Sequence, residues 1–264
     1  PLEDLMLKRL WRAYGINPFD RLLRKAQGKR FLICWNRGLG DIALGMYALV
    51  HRIRQFIPDA EVTFLTRSDL AQGFSLLEKV SVLIHPEMRR KEAFDLDAGL
   101  AKHSLKRADF DLVIEHPDPT YWCQWQLGKL IPRLQWNTEW DRIDHLHLKR
   151  PYLGVHVQTE TSYGYEKNWP IEHWKALFER VRAAGVEILL FGNAPVPVIE
   201  MPGVIDLRGQ TTLAEMLSLI KQKCSWLVVP DSGVLSLTYF LDCSFPLKIV
   251  SLWSDPRQGI LKQN

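Results

Sequence analysis

The sequence predicts an α/β protein of two Rossmann-like domains, each with a parallel sheet covered by helices on both faces. Short apolar runs alternate with helix-length segments from residue 30 onward, and a polar, charged segment over 138–150 divides that series in two. In both halves, a loop containing glycine or aspartate follows a buried strand and precedes a helix. This alternation is typical of parallel sheets with crossover helices.

The first domain is predicted over residues 30–137. Its apolar runs predict strands at 31–35, 62–65, 80–84 and 110–114, with a short one near 133–136. Helices are predicted over 42–56 and 119–130. The segment 86–107 is richly charged and supports no assignment.

A linker over 138–150 and a second domain over 151–264 complete the prediction. Strands are predicted at 153–157, 186–191, 204–207, 226–229 and 249–252, and helices at 170–184, 213–221 and 234–241. Pro170 suits the first turn of its helix, and Gly185 suits the end of the same helix.

Composition is ordinary for a globular protein, with 264 residues, 47% hydrophobic and 24% charged. No apolar run approaches the roughly 18 residues that a membrane span needs. The first thirty residues carry charges throughout, which does not fit a cleavable signal. The four cysteines form no CxxC pair, which argues against a zinc or redox motif and favours a reducing cytosol.

Residues 1–29 are predicted to form two basic amphipathic helices. Leu7, Leu10, Trp11 and Tyr14 share one face of the first, and Phe19, Leu22, Leu23 and Ala26 share one face of the second. Residues 1–30 hold eight Lys/Arg against three Asp/Glu. These helices either pack on the domain or contact an anionic membrane surface. No pattern typical of nucleic-acid binding is present, so nucleic acid is not an expected partner.

The loop after the first strand runs Arg37-Gly38-Leu39-Gly40-Asp41. Gly38 and Gly40 permit close approach of the backbone to a ligand, and the following helix exposes amides suited to an anion. Gly38, Gly40 and Ala43 also fit the dinucleotide fingerprint, although Arg67 stands near the end of the second strand where an acid would hold the ribose. A tight turn without ligand is the third interpretation.

Asp41 begins the helix that follows this loop. Its carboxylate either favours the helix dipole or acts as a general base on a sugar hydroxyl.

Two further segments carry candidate ligand-binding residues. Lys167 comes just before a predicted helix and is either a phosphate ligand or an exposed surface lysine. Asp231, Ser232 and Gly233 follow an apolar strand, at the edge of a parallel sheet where ligands bind. Asp231 either binds sugar hydroxyls or caps the helix, and Ser232 and Gly233 offer a hydroxyl and amides to a diphosphate.

Four motifs in order resemble glycosyltransferase family 9, the bacterial heptosyltransferases, over roughly residues 30–264. The loop at 37–41 resembles the family's N-terminal loop, and Lys167-Asn168-Trp169-Pro170 its K-x-W-P element. Asp231-Ser232-Gly233 resembles its D-[ST]-G element, and Ser254-Asp255-Pro256 its T-D-P turn.

The resemblance implies a GT-B fold with its two sheets facing across a cleft. It implies inverting, metal-independent transfer from a nucleotide-sugar donor such as ADP-heptose, with no cofactor. The implied acceptor is a lipopolysaccharide-core or related glycolipid at the cytoplasmic face of the bacterial inner membrane. Asp41 is the implied general base, Lys167, Ser232 and Gly233 the implied phosphate contacts, and Asp231 the implied contact to the donor sugar.

The sequence departs from the family at Ser236, where a histidine is usual, and in having no predicted final helix. Two other functions therefore stay open beside the glycosyltransferase. One is an NAD(P)-binding oxidoreductase, which rests on Gly38, Gly40 and Ala43. The other is a non-catalytic, glycosyltransferase-like binding protein.

Overall fold

The structure is a computed structural model that describes residues 17–123, 130–143, 151–159, 166–242 and 247–254. The chain divides into two compact units, residues 1–132 and 133–264. The predicted first helix over 2–14 lies outside the described residues. Among the described helices, none is long and apolar enough to cross a membrane.

The first unit contains a four-stranded parallel sheet in the order β3-β2-β1-β4. The strands are β1 (Arg30–Trp35), β2 (Glu61–Thr66), β3 (Val80–Ile84) and β4 (Leu112–Ile114). The helices are α1 (Pro18–Lys25), α2 (Tyr47–Phe56), α3 (Ser68–Phe74), α4 (Leu96–Ala101) and α5 (Pro119–Trp122), and a π-helical segment, Ile42–Met46, leads into α2. Five consecutive residues of β1 are buried, as expected of a central strand covered on both faces.

The second unit contains a five-stranded parallel sheet in the order β7-β6-β5-β8-β9. Its strands are β5 (Tyr152–His156), β6 (Glu187–Phe191), β7 (Val204–Asp206), β8 (Cys224–Pro230) and β9 (Lys248–Leu252). Its helices are α6 (Ile171–Ala183), α7 (Leu213–Lys223) and α8 (Gly233–Phe240). In both sheets the first strand along the chain is central and the order reverses beside it, which creates a ligand crevice at the carboxyl ends of the strands.

Local sequence signals mark helix boundaries in the second unit, and Gly185 lies at the end of α6 as predicted. Gly185 has φ +76° and donates its amide to Arg182, while the amide of Val186 reaches Val181, so a Schellman motif closes α6. Thr212 and Glu215 form a capping box that begins α7.

Two predictions for the stretch 119–136 differ from the structure. Helix 119–130 is described only as α5, since residues 124–129 lie outside the described part. The strand near 133–136 was wrong, because Leu134 forms only an isolated bridge with Leu241. Proline at 132 has no amide to donate, so a longer ladder cannot start there.

The described part of the predicted linker is folded onto the second unit. Residues Thr138–Arg142 form a 3₁₀ helix whose Trp140 is buried, and Ser218 on α7 donates its hydroxyl to the Trp140 carbonyl at 2.6 Å. Trp136 packs edge-on against Trp140. Residues 144–150 lie outside the described part of the chain.

Candidate active site

Asp41 and Gly38 form one compact turn at the carboxyl end of β1. The Gly38 amide donates to Oδ2 of Asp41 at 3.2 Å, so the carboxylate folds back over the glycine loop. The Trp35 indole donates to the Gly38 carbonyl at 3.2 Å, and the amide of Ile42 donates to Leu39. A Cβ atom at Gly38 would lie 2.8 Å from Oδ2 of Asp41, so an alanine here would displace the carboxylate.

The position of the Asp41 carboxylate argues against a dinucleotide in this loop. A pyrophosphate there would need hydrogen bonds from the loop amides, yet the Gly38 amide already donates to the Asp41 carboxylate. The negative charge of that carboxylate would also repel the pyrophosphate. Arg67, near the end of β2, forms a bidentate pair with Asp69. The described loop therefore fits a dinucleotide poorly.

Asn36, at the start of the loop that carries Gly38 and Asp41, forms hydrogen bonds to the loops that follow β2 and β3. Its side-chain amide donates to the carbonyls of Arg89 and Glu92 at 3.0 and 2.9 Å, and its own carbonyl accepts from Lys91 and Arg67. These bonds connect the carboxyl ends of β1, β2 and β3. The loop that carries Asp41 is thereby held from several sides.

Lys167 and Asp231 meet at the carboxyl edge of the second sheet. Nζ of Lys167 lies 2.6 Å from Oδ2 of Asp231, and their side chains are 13% and 27% exposed. Asp231 follows β8 directly, and its amide donates to Leu252 at the end of β9. Two residues that the sequence assigned to one donor site are therefore in direct contact, and Lys167 is not an ordinary surface lysine.

Ser232, rather than Asp231, caps α8. Its hydroxyl accepts the Leu235 amide at 3.3 Å, and its carbonyl accepts the amide and the hydroxyl of Ser236. The Ser232 hydroxyl can still donate one hydrogen bond, because accepting a bond does not use its proton. Gly233 is the first residue of α8, so its amide belongs to the end of the helix that attracts anions.

The segment that carries Lys167 is fixed by its neighbours. Asn168 exchanges two hydrogen bonds with the backbone of Thr159, at 2.6 and 2.9 Å, and Trp169 packs edge-on against the buried Trp174 of α6. This pattern explains why asparagine and tryptophan follow the lysine: they anchor the loop that presents its ammonium.

His156 and Arg208 are buried polar residues at the same edge that the sequence analysis missed. His156 ends β5 and is 8% exposed, its Nδ1 atom has no hydrogen-bond partner in the described structure, and burial lowers the pKa of its imidazole to about 4. The signal that could have revealed it is a polar residue at the end of an otherwise apolar strand.

Arg208 holds together the loops that follow β6 and β7. Its guanidinium forms a bidentate pair with Asp206 at 2.8 and 2.7 Å and donates to the carbonyl of Pro197. That hydrogen bonding lowers the pKa of the Asp206 carboxyl. The Gly209 amide in turn donates to Gly192, so the two loops form one unit.

Cysteines and metal ligands contribute little to the described site. Burial raises the pKa of the Cys34 and Cys123 thiols to about 12, so they stay protonated, while Cys243 lies outside the described residues. Within the described ranges, no cluster of three or more His, Cys, Asp or Glu residues could hold a metal ion. Ser254 follows β9, and Asp255-Pro256 of the predicted T-D-P turn lie outside the described residues.

A family model matches the part of the chain that contains the Lys167–Asp231 pair. Residues 132–243 match glycosyltransferase family 9 (heptosyltransferase). A comparison with curated proteins finds no match. The match confirms the predicted resemblance to this family over residues 132–243.

Solved structures share the fold of this chain at low sequence identity. ADP-heptose LPS heptosyltransferase II of E. coli is 16% identical, with 84% of this chain and 90% of that one covered and a TM-score of 0.56. A glycosyltransferase family 9 protein of Veillonella parvula is 15% identical, with 87% of each chain covered and a TM-score of 0.55. These similarities confirm the predicted GT-B-like fold with two parallel sheets.

A third similar structure is larger. The iron-containing dodecameric glycosyltransferase TibC of enterotoxigenic E. coli is 13% identical, with a TM-score of 0.56. The alignment covers 86% of this chain but only 60% of TibC.

Proposed function

We propose that this protein is an inverting glycosyltransferase that moves a sugar from a nucleotide-sugar donor to a saccharide acceptor. The observation that carries the proposal is the Lys167–Asp231 contact beside the N-terminus of α8, inside the segment that matches the heptosyltransferase family. The heptosyltransferase II of E. coli, which shares the fold, is named for ADP-heptose and LPS. ADP-heptose is therefore the first donor to test, and a lipopolysaccharide-core glycolipid the first acceptor.

The second unit supplies the groups that the donor needs. The Lys167 ammonium, the Ser232 hydroxyl and the Gly233 amide are all hydrogen-bond donors, which suits the two negative charges of a diphosphate. The Asp231 carboxylate is an acceptor and would be repelled by phosphate, so it is better suited to the hydroxyl groups of the sugar. As the bond to the sugar breaks, the donors stabilise the charge that develops on the diphosphate.

Asp41 is the proposed general base in the first unit. Its carboxylate takes the proton of the acceptor hydroxyl, whose oxygen forms a bond to the anomeric carbon. The bond from that carbon to the diphosphate oxygen breaks, and the nucleoside diphosphate leaves with the electron pair. Attack on the side opposite the leaving group inverts the anomeric centre, and the residues named here carry the step without a metal ion.

The donor is identified by a thermal-shift screen of the full chain with ADP-, UDP-, GDP- and CMP-sugars, because a ligand of the folded state raises the melting temperature. We expect one nucleotide to stabilise the protein preferentially. Lys167→Met should weaken this binding roughly 10- to 100-fold, as loss of a charge-assisted hydrogen bond does. Lys175→Met, at a lysine on α6 that is 45% exposed, is the matched control and should bind like wild type.

Catalysis is tested with Asp41→Asn, which keeps the size of the side chain and removes the base. We expect donor binding to be retained and turnover to fall on the order of 100- to 10,000-fold. Asp59→Asn, at an exposed aspartate of the same unit, is the control. Donor binding without turnover in wild type would instead favour a binding protein, and turnover preserved in Asp41→Asn would exclude Asp41 as the base.

The dinucleotide alternative has one direct test. Titration with NADH and NADPH should leave nicotinamide fluorescence unchanged, because the Gly38 amide already donates its hydrogen bond to the Asp41 carboxylate. A saturable fluorescence increase would support the alternative that the protein is an NAD(P)-binding oxidoreductase.

A further inference from the structure

Helix α1 is fixed to the first unit by one face. Phe19 and Leu23 are 1% and 2% exposed, and the Phe19 ring stacks on Trp122 at 5.0 Å between centroids. Asn17 caps the helix and donates its side-chain amide to the Trp122 carbonyl at 2.7 Å. The opposite face of α1 therefore has a defined orientation.

The charges of α1 are divided between these two faces. Asp20, the one acidic residue of the helix, forms a bidentate pair with Arg52 of α2, and both side chains are less than a fifth exposed. Arg21, Arg24 and Lys25 are exposed and follow i, i+3, i+4 spacing, which puts them on one side of the helix. The helix thus keeps its carboxylate inside, and the charged side chains that it exposes are all cations.

An exposed apolar side chain lies among these cations. Leu22 is 37% exposed, next to Arg21 in the chain. The Arg24 guanidinium lies 5.8 Å from the centre of the Phe56 ring. In the sequence directly before α1, residues 8, 9 and 12 are also Lys or Arg.

We propose that the outward face of α1, formed by Arg21, Leu22, Arg24 and Lys25, docks on an anionic lipid surface. Cations near such a surface are attracted by the headgroup charge, and an aliphatic side chain among them can enter the boundary of the acyl chains. Nucleic acid fits less well, because binding of single strands uses exposed aromatic rings for stacking, and this face of the described helix has none. The inference deepens the proposed function, since a glycolipid acceptor would lie in that surface.

The test is co-sedimentation of the full chain with vesicles of phosphatidylglycerol and phosphatidylethanolamine, compared with phosphatidylcholine vesicles. We expect binding to the anionic vesicles only, and release by high salt. The triple variant Arg21→Gln/Arg24→Gln/Lys25→Gln should lower the partition coefficient on the order of 100-fold. Circular dichroism checks that the variant is folded.

The matched control removes the same number of positive charges from the second unit. Arg133→Gln/Arg142→Gln/Arg180→Gln changes three exposed arginines and should bind vesicles like wild type. Equal losses in both triple variants would overturn the proposal, because net charge and not α1 would then govern binding. The proposal would also be overturned if the α1 variant bound vesicles as well as the wild type does, or if the wild type bound phosphatidylcholine vesicles or no vesicles at all. Displacement of the vesicles by duplex DNA would overturn it as well.

Failure of this inference is distinguishable from failure of the proposed function. Transfer to a water-soluble saccharide acceptor should be unchanged in the α1 variant, because no residue of α1 belongs to the proposed site. Conversely, Lys167→Met should weaken donor binding and keep vesicle binding. Vesicle binding that persists in the α1 variant, with transfer intact, would therefore reject the docking face alone.

Discussion

Nζ of Lys167 lies 2.6 Å from Oδ2 of Asp231, although 64 positions separate the two residues in the chain. The contact joins the loop before α6 to the loop after β8. In this state the lysine and the aspartate neutralise one another. A diphosphate that binds here would attract the lysine and repel the aspartate, so the two residues should respond to substitution in opposite ways.

We expect Asp231→Asn to retain or tighten binding of a free nucleoside diphosphate, because the nearby negative charge is removed. Turnover with the nucleotide-sugar should fall at least about 10-fold, because a carboxylate that accepts from sugar hydroxyls is lost. Lys167→Met should weaken binding of both ligands. Isothermal titration calorimetry with the diphosphate and steady-state kinetics with the nucleotide-sugar separate the two effects.

The double variant Lys167→Met/Asp231→Asn completes a double-mutant cycle with the two single variants. Residues in contact are coupled, so its effect on diphosphate binding should differ from the sum of the two single effects. Additive effects would mean that the contact does not influence the ligand.

A second prediction concerns the turn between Gly38 and Asp41. Gly38→Ala places a Cβ atom 2.8 Å from Oδ2 of Asp41, and the carboxylate can move away because it is the end of a side chain. We therefore expect little change in melting temperature and a fall in turnover of at least about 10-fold, since small displacements of catalytic groups are costly. The measurement is kcat at saturating donor, beside a thermal melt.

The variant Gly38→Ala/Asp41→Asn is the control for this mechanism. If Gly38→Ala acts by displacing Asp41, it should have almost no further effect once the carboxylate is gone. A large further loss would show that alanine disturbs the loop in another way.

A third prediction concerns the pH dependence of stability at His156. Burial lowers its pKa to about 4, below the value of about 6.5 expected in the unfolded chain. Between these values the unfolded state binds more protons, so stability falls as pH decreases from about 6.5 to 4. The loss over the whole window is about 3 kcal/mol.

Hydrogen exchange of the peptide that contains β5 measures this loss within the second unit. His156→Gln should flatten the pH dependence, because glutamine does not titrate. His173→Gln, at an exposed histidine on α6, should keep it. An unchanged slope in His156→Gln would assign the pH dependence to another group.

The sequence predicted all nine strands of the described residues because their signal is local. Each central strand is a short apolar run, and glycine or a capping residue marks the end of its helix, as Gly185 does for α6. The helix α3 was missed because Ser68–Phe74 is short and contains glycine, which weakens the helical pattern. The helix α4, Leu96–Ala101, was missed because it lies in a segment dominated by charge.

The candidate site was predicted in part. The sequence identified Asp41, Lys167 and Asp231 from their places next to strands and helices, but it did not show what each side chain contacts. Ser232 replaced Asp231 as the cap of α8, since the hydroxyl of Ser232 is the group that reaches the Leu235 amide.

By itself, the sequence determined the class of the fold, the order of the motifs and the enzyme family they resemble, because periodicity and turn chemistry act over a few residues. Tertiary structure alone decided that Lys167 contacts Asp231, that the Asp41 carboxylate accepts the Gly38 amide and that His156 is buried. Contacts between residues 64 positions apart depend on the register of parallel strands and the packing of their loops, which no local pattern records. The same reason explains α1: its basic composition is visible in the sequence, whereas packing on Trp122 decided which of its residues face outward.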